Sequence, residues 1–245
     1  MPVGTSTPSR PTRLMLLPGM DGTGTLFRWL IDALPKHYDC ESVAYDRARS
    51  ATYDELVDMV RMRLVSREAP TVMVAESFSG AIAIRLAADP PPQLRGVVLA
   101  ASFSRSPVPG WLAGAVGSWL FAVPPPVWLV RRYLVGFDAP TDVIEETLAA
   151  MGSVSARVMA NRLRQVIALD VTDELRRAKV PVRYVFAKHD HLVNASIAYP
   201  GVELSNATEL PGPHTVLQRC PIESARVIDD FATSVSEFRS SRIAR

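Results

Sequence analysis

Cysteine is scarce in this chain: Cys40 and Cys220 are the two thiols among its 245 residues. Two thiols so far apart make no disulfide framework, and the expectation is a cytoplasmic protein with both thiols reduced. Net charge is nearly absent as well, at a formal +2. That excludes the whole-molecule basic field of a nucleic-acid binder, though not a local basic patch. Residues 1–12 lack a basic stretch followed by an apolar one, so no signal peptide is read there and a short disordered lead is expected. Internal repeats and long low-complexity tracts are missing too.

Charge is also missing locally. No residue from 111 to 130 is ionisable, a length that could span a bilayer. Pro124, Pro125 and Pro126 stand within that run, and three successive prolines break the hydrogen-bond ladder that a spanning helix must keep closed. No stable membrane span is expected. An apolar lid over a pocket accounts for the same residues.

What the chain does have is apolar substance, 48% of its residues, enough for a sizeable core. Short apolar runs at 13–17, 40–45, 71–75, 96–100, 182–187 and, more weakly, 202–210 read as strands. Helical patterns lie among them at 26–34, 53–66, just after 75 and at 221–236, with prolines ending several of them. Such alternation predicts an α/β fold with a mostly parallel sheet of about six strands flanked by helices. The region 103–170 interrupts the alternation with helical patterns and no convincing strand. It is read as an inserted helical cap between two parts of a core, 13–102 and 171–240.

The first chemical motif is Ala75-Glu76-Ser77-Phe78-Ser79-Gly80, between the clearest strand and the helix after it. A sharp strand-to-helix turn strains its central residue and needs small residues two positions to either side. Ala75 and Ser79 are small, which makes Ser77 the candidate nucleophile. The overlapping frame Ser77-Phe78-Ser79-Gly80-Ala81 would instead select Ser79. Because the strand run ends at Ala75, the first serine falls in the turn and the second in the helix. Both serines acting only as helix caps is the plainer alternative.

The loop from Leu17 to Gly24 follows the first strand. Acyl transfer builds negative charge on the former carbonyl oxygen, and two aimed backbone amides can bind it. By position the donors are Phe78 and Met20, with Gly19 and Asp21 bordering the substrate. The loop has neither the Gly-Lys-Ser/Thr of a phosphate loop nor the order G-x-G-x-x-G. A plain turn remains the alternative.

His214 alone among the four histidines follows the last expected strand, in Leu210-Pro211-Gly212-Pro213-His214. It is the candidate general base. Asp190, just past the run 182–187, is the carboxylate expected to orient it, with Asp173 as a second candidate better suited to a helix start. The order Ser, Asp, His agrees with a nucleophile at a strand-to-helix elbow. His189 and His191 could be read with Asp190 as metal ligands, but a third ligand from elsewhere would be needed. No metal and no cofactor are expected.

These landmarks, LLPGMDGTG, VAESFSGAIA and FAKHDHLV with PGPH, together resemble the α/β-hydrolase superfamily over roughly 13–238, the cap excepted. PGMDGTG with ESFSG is similar to a branch that includes bacterial carboxylesterases and the hydrolase-like part of plant phytyl ester synthases. The chain departs from the family in three places. Ala75 and Ser79 replace the glycines of G-x-S-x-G. Pro18-Gly19 stands where many members have His-Gly, removing a side chain that often ties down the loop. The antiparallel hairpin that often opens the fold is expected to be missing.

The resemblance implies a serine hydrolase cleaving carboxylic esters of an apolar acyl or alcohol group through an acyl-enzyme. The alternatives are a thioesterase or acyltransferase using acyl-CoA or an acyl carrier, including cleavage of a carrier-linked methyl ester, and an inactive ligand-binding member of the fold. Arg131 and Arg132 beside the cap could receive such a carrier, or be a solvated helix end. Ser77 argues against an aspartate nucleophile, as in epoxide hydrolases and dehalogenases. Trp111, Trp119, Phe121 and Trp128 either line an acyl pocket or pack only against the core.

Overall fold

Six of the apolar runs pair into one sheet in the computed structural model, which describes residues 12–194 and 198–243, with side chains described up to 236. The strands are β1 (Arg13–Leu17), β2 (Asp39–Ser42), β3 (Thr71–Glu76), β4 (Leu94–Ala100), β5 (Val182–Ala187) and β6 (Ala207–Leu210). Their order is β2-β1-β3-β4-β5-β6, and every neighbouring pair is parallel. Among the described residues no strand precedes β1. The expected lead at 1–12 lies, except for Thr12, outside the described residues.

The central strands β1 and β3 are buried at every position, as parallel strands covered on both faces must be. Their side chains alternate between two cores. Met15, Leu17, Met73 and Ala75 join one cluster, while Leu14, Leu16, Val72 and Val74 join the other. The first cluster packs under α2 (Tyr53–Val65) and α3 (Gly80–Ala88). The edge strands β2 and β6 are half exposed and shorter than the runs that signal them. An edge strand has one neighbour and less apolar cover, so its ends leave the ladder early.

The expected helix at 26–34 starts as a 3₁₀ turn, Thr25–Phe27, before α1 (Arg28–Ala33). Thr52 caps α2: its hydroxyl accepts from the Glu55 amide at 3.2 Å, and its own amide donates to the Glu55 carboxylate at 2.7 Å. This reciprocal box sets where α2 begins, and hence where Tyr53 stands.

Between β4 and β5 the chain builds the helical cap region: two 3₁₀ turns, the short α4 (Val127–Val130), α5 (Thr141–Gly152) and α6 (Ala156–Ile167). Its neck is pinned by an antiparallel bridge between Arg105 and Asp170, whose side chains also pair at 2.8 Å. The short α7 (Thr172–Arg176) carries Asp173, whose carboxylate takes a hydrogen bond from Arg176 instead of capping the helix. After β6 come α8 (Val216–Arg219) and the long α9 (Pro221–Ile243), which extends past the expected end at 236.

The chain places β2 on one side of β1 and then crosses back to put β3 on the other. The loops leaving β1 and β3 therefore part in opposite directions. This reversal opens a crevice at the carboxyl ends of the two strands, the usual ligand position in an open parallel sheet.

Candidate active site

The crevice is occupied by the two loops marked out in the sequence. Ser77 follows β3 directly and has φ 47°, in the left-handed region that side-chain-bearing residues rarely adopt. Such strain persists only where the surroundings enforce it. Three neighbours do so. The Ser102 hydroxyl donates to the Ser77 carbonyl at 2.9 Å. Tyr53 donates to the Phe78 carbonyl at 3.1 Å and stacks on the Phe78 ring at 4.7 Å. Gly80 lets the turn approach Ser102, because a Cβ there would lie 1.6 Å from the Ser102 hydroxyl. Ser102 itself follows Ala101, the other non-glycine residue with positive φ among those described.

The line of hydrogen bonds is complete. His214 Nε2 lies 3.0 Å from Ser77 Oγ, and His214 Nδ1 lies 2.8 Å from Asp190 Oδ2. The other Asp190 oxygen accepts from the Leu192 and Val193 amides at 2.8 and 2.9 Å, so the carboxylate is held in plane before the histidine meets it. Asp190 follows β5 and His214 follows β6, as the positions of the two strands anticipate. Both side chains are buried.

The competing serine has another task. Ser79 is fully buried, donates to the Pro18 carbonyl, and meets the Tyr45 hydroxyl at 2.6 Å. It ties the elbow to the loop after β1. Neither Ser77 nor Ser79 caps α3 through its side chain. Ser104, also buried, bonds to Thr172 and to the Ala198 carbonyl. Among the described residues no group of three His, Cys, Asp or Glu is placed to hold a metal; His189 and His191 are exposed.

The loop after β1 is fastened by a residue that the sequence reading passes over. Arg162 on α6 is buried, and its guanidinium donates to the carbonyls of Met20, Asp21 and Asp46 at 2.9, 2.8 and 2.9 Å. Gly22, at φ 68°, leaves the space it fills: a Cβ there would lie 2.5 Å from the guanidinium. The tie that the Pro18-Gly19 replacement removes is thus supplied from the cap. A signal was available, since Arg162 stands four residues from Val158 and from Val166 on one buried helical stripe. An arginine in such a stripe needs several acceptors.

Titration at the site is shaped by burial and by close carboxylates. Burial would push the His214 imidazole down, but the hydrogen bond and charge of Asp190, with a further contribution from Glu76, hold it above its ordinary value. Burial pushes the Glu76 carboxyl up to about 7; Asp21 adds to this, while His214 and Gln218 oppose it. A glutamate whose carboxyl is held above the ordinary carboxylate range therefore stands directly before Ser77.

These residues face a cavity of about 230 Å³. Gly19, Met20, Asp21, Ser77, Phe78 and His214 all border it. Its apolar wall comes from Leu26, Phe103, Val108, Met151, Met159 and Leu163. Trp111, Trp119, Phe121 and Trp128 do not line it. The three tryptophans are exposed, and Phe121 packs behind the wall against the cluster that contains Met159. Composition marked this stretch as apolar, but orientation is set by the 3₁₀ turns and prolines, which turn the rings outward.

Two stability predictions arise from these contacts. Gly80→Ala forces Ser102 off the Ser77 carbonyl and is expected to cost about 1–3 kcal/mol in urea unfolding. Arg162→Ala leaves three partly buried carbonyls without this donor and is expected to cost about 1–3 kcal/mol, with Arg162→Lys recovering only part because a compact ammonium lacks the spread of the planar guanidinium fork. Equal stability of Arg162→Ala and wild type in the same experiment would contradict the clamp.

The chain also resembles known proteins over this architecture. Residues 14–227 match the model of the Alpha/beta hydrolase family. Among solved structures it is similar to a thermophilic esterase from Thermogutta terrifontis, at 14% identity and TM-score 0.78, covering 94% of this chain and 96% of that one. It is also similar to an esterase from Exiguobacterium antarcticum, at 12% identity and TM-score 0.76, covering 92% and 93%. A lipase-esterase related protein from Clostridium acetobutylicum aligns at 20% identity and TM-score 0.75, covering 91% and 95%. At these identities the likeness is one of fold. No curated protein sequence matches the chain. With the family match running from β1 into α9, and a serine, histidine and aspartate joined on the strand ends it covers, the chain belongs to the Alpha/beta hydrolase family.

Proposed function

We propose that this enzyme cleaves carboxylic esters with an apolar acyl or alcohol group, through an acyl-enzyme on Ser77. The observation that carries the reading is the hydrogen-bonded line Asp190–His214–Ser77 beside a cavity with an apolar wall. It favours the carboxylesterase-like branch over a binding module, because a binder has no use for a strained serine joined to a buried histidine–aspartate pair.

Ser77 Oγ attacks the carbonyl carbon while His214 Nε2 takes its proton. Asp190 keeps Nδ1 protonated and stabilises the imidazolium. The amides of Met20 and Phe78 bind the oxyanion. The Met20 amide donates no hydrogen bond among the described residues, and the Phe78 amide belongs to the first turn of its helix, where amides are left over. Collapse of the intermediate breaks the ester C–O bond, and His214 returns its proton to the leaving alcohol. Water, deprotonated by His214 in its turn, then releases the acid and restores Ser77. Thioester cleavage and transfer to an alcohol use the same residues, and the apolar wall suits an acyl chain in each case.

Two outcomes test the reading. Ser77→Ala is expected to abolish hydrolysis of a p-nitrophenyl ester while leaving the unfolding midpoint near that of wild type; retention of the wild-type rate would assign the nucleophile elsewhere. The base works only when neutral, so kcat/KM should rise with pH through the His214 titration, with the midpoint above that of a free imidazole. Glu76→Gln removes a negative charge that favours the imidazolium, so the midpoint should move to lower pH. A midpoint unmoved by Glu76→Gln would contradict the coupling.

A further inference from the structure

The uncharged stretch of the cap remains unused by the site. Trp111, Val123, Trp119, Phe137 and Trp128 are 79, 74, 69, 66 and 62% exposed, and Leu120 and Val127 lie partly open among them. Scattered exposed apolar residues are ordinary in a folded protein, but three tryptophans and several aliphatic neighbours within one short segment are not. The segment also has a particular place. Pro107 and Val108 on one side of it and Leu134 on the other line the catalytic cavity. The chain leaves the cavity wall, turns its apolar side chains outward, and returns to the wall.

The charges around this segment are one-sided. Between Arg105 and Asp138 the only charged residues are Arg131 and Arg132. Arg105 is paired with Asp170, and Asp138 with Arg219 at 3.0 Å. Arg131 donates to the Phe137 carbonyl, and Arg132 lies over the Tyr133 ring at 5.5 Å. Neither arginine is paired with a carboxylate among the described residues. We propose that the outward face of residues 109–133 is a docking surface for an anionic lipid bilayer, seated at headgroup depth with Arg131 and Arg132 against the phosphates.

The chemistry favours this occupant. Tryptophan is the side chain that prefers the boundary between water and acyl chains, and arginine beside it draws anionic headgroups. A second copy fits less well, because a two-fold contact through this face would bring the arginine pairs of both copies together with no acid to answer them. The segment rests on the bilayer and does not cross it: among the described residues no helix is long and apolar enough to span. Docking here would bring the cavity wall to the membrane surface. It does not depend on the ester chemistry proposed above.

Three of the four tryptophans sit on this face, so their emission reports on docking without any assay of turnover. The full chain is mixed with vesicles of phosphatidylcholine alone and with vesicles containing about one-third phosphatidylglycerol, a composition chosen to supply anionic headgroups. The expected result is co-sedimentation and a blue shift in emission with the anionic vesicles, both weakened by added salt. The double variant Val123→Asp with Val127→Asp should bind at least about tenfold more weakly with an unchanged melting temperature, and Arg132→Gln should reduce binding to the anionic vesicles alone. Three results would overturn the proposal: no binding by the wild-type chain, binding by the double variant equal to wild type, or a dimer in light scattering that the double variant dissolves.

Discussion

A single strained residue organises this site. Ser77 is held at φ 47°, and the direction of its hydroxyl depends on that backbone angle. The strain is met from three sides, by Ser102 at the Ser77 carbonyl, by Tyr53 at the next carbonyl and by Ser79 tying the turn to Pro18. These contacts come from the end of β4, from the start of α2 and from the elbow itself. Two of them need local devices: Ser102 has a second positive φ at Ala101 before it and a Cβ-free Gly80 against it, and Tyr53 follows the capping box at Thr52. A serine whose turn could relax would lose its alignment with His214.

The cap is part of the same construction. Arg162 reaches from α6 into the loop after β1 and satisfies two backbone carbonyls there, with a third, that of Asp46, in the loop after β2. The first two belong to Met20 and Asp21, which border the cavity. A buried guanidinium with three acceptors is costly to remove and hard to replace, since its planar fork matches the spread of the carbonyls. The cap therefore does more than cover an apolar cavity. It also stiffens the wall on which oxyanion binding would depend.

Electrostatics at the site follow from the same enclosure. Asp190 and His214 meet away from water, so the pair survives the burial that would otherwise favour a neutral imidazole. Glu76 shares that enclosure and has few partners. Its Oε1 has no hydrogen-bond partner among the described residues, and burial holds its carboxyl above the ordinary carboxylate range. The outward face of the cap shows the opposite economy, with apolar rings in water and charge of one sign beside them.

Much of this was legible in the amino-acid order, and for definite reasons. Central strands of a parallel sheet are buried on both faces, so β1, β3, β4 and β5 stand out as apolar runs. Ser77 and Asp190 could be picked out because they come just after such strands, and His214 because it alone among the histidines comes after the last strand, β6; strand ends are where a parallel sheet presents its side chains. The edge strands were blurred because half of each faces water. Other features depended on contacts between distant residues. Ser79 and Ser77 are equal in type, and only the packing of Tyr45 and Pro18 around one of them separates their tasks. Arg162 is 142 positions from Met20, and no local pattern joins them. The cap tryptophans show the same limit: their apolar character is written in the sequence, but whether they face the cavity or the solvent is decided by the turns that carry them. Local order determines which segments are strands and which residues end them; only the folded chain decides which side chains meet, because long-range packing sets direction.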